Sequence, residues 1–140
     1  MEENMAELFS DEWMKKFMEK WNAEPELSDA LAKINFNSTI GYGFDKEDKP
    51  RGILVVKDGK VIDAGVYVDQ KLNQELNWDL RATEASWKQW LENGLGMAGL
   101  GVAYVSGKMK FKKGDYTAMI KDPRMAPPFI KSFTVMGQVK

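Results

Sequence analysis

The chain has 140 residues, 44% of them apolar and 29% charged, with a net charge of −1. That is the size and make-up of a single folded domain, expected to span residues 1–140, and it excludes both wholesale disorder and the basic excess of a nucleic-acid binder. There is no Cys and no His, which removes disulfides, thiolate nucleophiles, histidine bases and the usual zinc ligand sets.

The first element is an amphipathic helix. Ser10 caps it, Asp11 and Glu12 suit its positive end, and Phe9 and Met14 occupy the two positions of a hydrophobic staple. Trp13, Met14, Phe17, Met18 and Trp21 form its apolar stripe. Pro25 opens a second, shorter helix that buries Leu27, Ala30, Leu31 and Ile34.

The apolar period then falls to two. Strands are expected over Phe36–Phe44, Ile53–Val56, Val61–Val68 and Leu76–Ala82, with Asp58-Gly59 as a hairpin turn between the second and third. The charged run Asp45–Pro50 is a solvated turn. Its acids lack the glycine and glutamate of a calcium loop, where Pro50 and Val56 stand instead. Asp63 and Asp79 read as surface charges on the polar face of the sheet.

Thr83 caps a third helix with Trp87, Trp90 and Leu91 on its inner edge, and Asn93-Gly94 stops it. Gly94-Leu95-Gly96-Met97-Ala98-Gly99 spells a dinucleotide fingerprint, but it follows a helix where the fingerprint requires a strand. It therefore reads as a link to another apolar helix over Leu95–Val105. Gly107–Asp115 is a fifth strand whose lysines face water and discourage edge pairing. Tyr116–Lys121 forms a helical turn or two, and a last helix beginning near Pro127 buries Phe129, Ile130, Phe133 and Met136. Between them, Pro123, Pro127 and Pro128 leave few backbone donors to tie down Asp122–Pro128, so that this segment and the helix after it read either as a gate or as a plain completion of the core.

The fold class is thus α+β, a five-stranded, mostly antiparallel sheet covered on one face by helices. Nine Met, seven Phe and five Trp exceed what one sheet face needs. The surplus points to an apolar cavity lined by Trp87, Trp90, Leu91, Leu95, Met97, Leu100, Met119, Ile120, Met125, Phe129 and Phe133.

This order of elements resembles the sterol carrier protein 2 family. The likeness runs through Gly52-Ile53-Leu54-Val55-Val56-Lys57-Asp58-Gly59-Lys60 and through Leu80-Arg81-Ala82-Thr83 with the Trp87 helix. It is best at Val105–Asp115, a strand entered through Gly107-Lys108 and left through Gly114-Asp115. The resemblance implies a lipid-binding fold with an apolar tunnel between sheet and C-terminal helices, taking fatty acids, fatty acyl-CoA, phospholipids or sterols. It carries over no catalytic residue, cofactor or metal, so a non-enzymatic long-chain lipid carrier is expected. The second reading is an accessory module that docks on an enzyme and shelters its apolar substrate. Expected partners are the lipid and, transiently, a membrane surface through the lysine run, with no nucleic acid. The acidic start Met1-Glu2-Glu3 and an end at Gln138-Val139-Lys140, without a peroxisomal tripeptide, make the cytoplasm the expected location.

Overall fold

The computed structural model describes residues 7–67 and 76–139. In chain order its elements are α1 (Asp11–Asn22), α2 (Pro25–Ala32), β1 (Ser38–Phe44), β2 (Gly52–Lys57), β3 (Lys60–Val66), β4 (Trp78–Ala82), α3 (Glu84–Asn93), α4 (Met97–Val105), β5 (Lys110–Lys113), α5 (Tyr116–Lys121) and α6 (Ala126–Met136). Helix starts fall where the capping residues set them. Ser10 accepts from the Trp13 N–H, Thr83 from Ser86 and Asp115 from Ala118. β1, β4 and β5 are shorter than the alternation alone suggests, β2 runs one residue further at each end, and the expected end of the third strand at Val68 lies outside the described residues.

The strands form one sheet in the order β3-β2-β1-β4-β5. β1/β2, β2/β3 and β4/β5 pair antiparallel, whereas β1 and β4 run parallel, with Ile40 opposite Trp78 and Tyr42 opposite Leu80. The tight turn at Asp58-Gly59 puts both residues at positive φ, 50° and 83°, as the β2–β3 hairpin requires. Asp58 is held there by its N–H, which donates to Asn37 Oδ1 at 2.8 Å. No glycine substitute fits at Gly59, because a Cβ would stand 2.4 Å from backbone atoms of α2.

One face of the sheet carries Ile40, Tyr42, Leu54 and Leu80, all buried. α1 lies over β2 and β3, and α6 packs on α1, α2 and α3. The joint is aromatic. Phe9 meets Trp13, Tyr42 and Trp87 at centroid distances of 5.3, 5.8 and 5.2 Å. Indole N–H groups are paired: Trp21 donates to the Gly59 carbonyl and Trp87 to that of Gly43, both at 2.9 Å. Burial pushes the Tyr42 phenol far above its ordinary range, so it stays neutral.

The other face departs from expectation. Asp79 is not a surface charge but is 6% exposed, and Arg81 beside it is fully buried. Arg81 donates through Nε and Nη2 to the two carboxylate oxygens of Asp79 at 2.6 and 2.9 Å. Its remaining donors reach the carbonyls of Phe44, Glu47 and Asp48. All five guanidinium hydrogens thus have acceptors. The cover is the Asp45–Arg51 turn. Gly41 and Gly43 let it come close, since a Cβ on Gly43 would sit 2.9 Å from Pro50 Cα. Asp63, by contrast, is exposed as expected.

Candidate functional site: a closed seam beneath α2 and α6

The space between the sheet and its helices is where an apolar ligand would lie. Among the described residues no open tunnel runs there. The helices sit flush on the rings of the sheet and leave a void of about 10 Å³, at the lower limit for a single water. α1 and α2 supply Trp21, Leu27 and Leu31 to its wall, β1 and β4 supply Ile40, Tyr42 and Trp78, and Phe36 leads into β1. α6 and the residue before it supply Met125, Phe129 and Ser132. The wall is apolar apart from the Tyr42 and Ser132 hydroxyls, and Ser132 Oγ donates to the Phe129 carbonyl at 2.5 Å.

On the far side of the same helix pair runs an open groove of about 720 Å³. α2 turns Leu27 and Leu31 to the void and Ala30 to the groove, which Ile34 extends; α6 likewise turns Phe129 inward and Pro127, Ile130 and Thr134 outward. The α2–α6 contact is therefore the partition between an outer apolar groove and the inner void. It is strapped by one exposed ion pair, Lys131 Nζ to Glu26 Oε1 at 3.3 Å. Lys33 and Arg124 stand on the groove's rim. Arg124 is already engaged with Asp122, which holds that carboxyl below the ordinary aspartate range.

Of the eleven side chains singled out in the sequence, two, Met125 and Phe129, line the void. Trp87, Leu95, Leu100, Met119 and Phe133 are buried elsewhere in the core, and Trp90, Leu91 and Ile120 are half-buried against it. Met97 points outward, 48% exposed. The apolar period misplaces it because α4 is apolar on every side and so signals no inner face. The residues missed are Trp21, Leu27 and Leu31 on the helices, Phe36, Ile40, Tyr42 and Trp78 on the sheet side, and Ser132. The amphipathic spacing of the first three marks them as buried but does not say against what. Nor is Asp122–Pro128 as loosely tied as its prolines suggest. The Asp122 carbonyl accepts from Met125 and Ala126, its carboxylate accepts from the Arg124 N–H, and α6 starts with prolines in its first turn, where no donor is needed.

The remaining candidates are structural. Gly94 ends α3 at φ 90° and Gly96 precedes α4, so the glycine run joins two helices and follows no strand. In the charged turn Glu47 takes a bidentate bond from Arg51 at 2.9 and 2.7 Å, which holds its carboxyl below the usual glutamate range.

Similar arrangements exist among solved structures. A crystal structure of sterol carrier protein 2 superposes with a TM-score of 0.73 at 21% identity, covering 96% of this chain and 100% of that one. This is the sterol carrier protein 2 fold. A conserved hypothetical protein of Thermus thermophilus, described as possibly sterol carrier protein, gives 0.60 at 20% identity over 93% of this chain and 90% of that one. A structure titled UbiJ-SCP2 ubiquinone synthesis protein gives 0.55 at 14% identity over 88% and 86%. No protein-family model and no curated protein matches the sequence.

Proposed function

We propose that the chain is a non-enzymatic carrier of a long-chain lipid, whose tail enters between α2 and α6 and lies against the inner face of the sheet. The observation that carries the reading is the seam itself: an apolar groove and an apolar void separated only by two short helices and one exposed ion pair. A tail of roughly 14 methylenes contributes on the order of 11 kcal/mol gross on burial. Immobilisation and opening of the seam subtract several kcal/mol, which leaves room for micromolar affinity without a buried counter-ion. The fold shared with sterol carrier protein 2 supports lipid as the ligand class. Among the sequence candidates Met125 and Phe129 are the proposed contacts, with Phe133 behind them; Trp21, Leu27, Leu31 and Trp78 join them from the other walls.

The test is titration of delipidated chain with a fluorescent long-chain acyl probe, read by the probe and by tryptophan emission. Saturation near one probe per chain is expected. The emission change should survive Trp87→Phe with Trp90→Phe but fall in Trp21→Phe with Trp78→Phe, since those two indoles face the void. A flat titration of chain shown to be folded by circular dichroism removes the carrier reading. It leaves the second one, an accessory module that shelters the apolar substrate of a partner enzyme, which the likeness to the ubiquinone synthesis protein favours.

A further inference from the structure

Five large apolar side chains stand exposed among the described residues, and four belong to one helix. Met97, Val102, Tyr104 and Val105 of α4 are 48, 68, 38 and 85% exposed. α4 has no charged residue, and Leu100 and Ala103 already anchor it to the core. Beside Val102 and Val105 it forms a shallow apolar depression of about 470 Å³ with Ala98 and Gly101. A contiguous apolar surface of this kind marks a docking site more often than scattered single residues do.

The charge around α4 says what it docks on. From Asn93 to Gly114 there is no acidic residue, while Lys108, Lys110, Lys112 and Lys113 all lie in that stretch and are exposed; Lys110 stands 4.0 Å from the Asp45 carboxylate, so Lys108, Lys112 and Lys113 carry the excess. The chain as a whole carries −1, so the positive field is local to this flank. Helix and lysine strand are held as one piece. The Met109 N–H donates to the Ala103 carbonyl at 3.0 Å, and Tyr104 stacks on Tyr116 at 3.9 Å and meets Phe111 at 5.8 Å. A short apolar helix fringed by lysines matches the two requirements of an anionic bilayer surface, apolar depth and negative head groups. A second copy of the chain is a poorer occupant, because a two-fold contact through α4 would bring the same lysines together.

We propose that α4 is a membrane-docking element that inserts Val102 and Val105 into the head-group boundary of an anionic phospholipid surface while Lys108, Lys112 and Lys113 face its phosphates. The assignment stands apart from what the core binds, since its residues line neither the seam nor the groove.

Flotation of the full chain with vesicles tests it, comparing phosphatidylcholine alone with phosphatidylcholine containing phosphatidylglycerol. The chain should float with the anionic vesicles, stay behind with the neutral ones, and be released as salt rises. Val102→Ser with Val105→Ser should weaken binding by about tenfold or more, and Lys112→Gln with Lys113→Gln by about fivefold for each lysine. These positions are exposed, so circular dichroism and Tm should not change. Ile62→Ser, exposed on β3 away from α4, should float like the parent. Binding to neither vesicle, equal and salt-insensitive binding to both, or variants that float undiminished would overturn the proposal. So would a dimer in sedimentation velocity that Val105→Ser dissolves, which would assign the face to a second copy.

Discussion

The two faces of the sheet are covered over β1 and β4 by opposite kinds of chemistry, while Ile62 and Asp63 of β3 stay exposed on the outer one. The inner face is sealed by rings and aliphatic chains of α1, α2 and α6, contacts that are non-directional and re-form in shifted positions. Over β1 and β4 the outer face is closed by one guanidinium whose five donors are all directed, to Asp79, to the Phe44 carbonyl at the end of β1 and to the turn carbonyls of Glu47 and Asp48. A carrier needs one wall that gives and one that does not. In the proposed carrier the apolar side parts and re-closes around a tail, whereas the ion-paired side would lose several hydrogen bonds together if it moved.

The largest effect expected is on the rigid side. Asp79→Ala leaves the buried Arg81 charge without its partner and should cost about 3–5 kcal/mol of stability in urea unfolding. Asp79→Leu with Arg81→Met should cost less than that single change, since no uncompensated charge remains. Neither should alter the number of acyl probes bound per folded chain. If the single change is neutral, the outer face is not held by this pair.

A smaller loss with a gain of function is expected on the adaptable side. Leu31→Ala enlarges the inner void and should cost about 2–3 kcal/mol. An enlarged apolar cavity stays dry and receptive to apolar ligands, so the acyl probe should bind at least as tightly as in the parent. Weakened binding in this folded variant would place the tail elsewhere.

The smallest effect belongs to the rim of the outer turn. Glu47→Gln removes an exposed pair and should cost no more than about 0.5 kcal/mol. Because Arg51 holds the Glu47 carboxyl below its ordinary value, the contribution is complete above the unfolded value of about 4.3 and is lost as pH falls through the depressed one. Parent and variant should therefore converge in stability in acid.

How far the sequence told this in advance differs between the same two faces. The capped start of α1, the Asp58-Gly59 hairpin and the helical stop at Gly94 were legible because each is a local signal. The parallel β1–β4 pairing was not, since alternation marks a strand but not its neighbour. Nor was the burial of Arg81, because a polar residue on the alternate face reads as solvated. A signal was there: Gly41 and Gly43 stand two apart on one strand, and glycine inside a strand marks close approach of another backbone. On the inner face the aromatic surplus marked the side chains that pack between sheet and helices. The seam's position was illegible because Leu27 and Leu31 meet Phe129 only once α2 and α6 are folded together.

In the proposed carrier, lipid enters by parting α2 from α6. Hydrogen exchange of the delipidated chain, with and without saturating palmitate, tests it most directly. Residues 25–34 and 124–136 should exchange markedly faster without palmitate than with it, while residues 53–61 of the β2–β3 hairpin change little. Unaltered exchange in both segments at saturation, or slowing confined to residues 94–105, would contradict it.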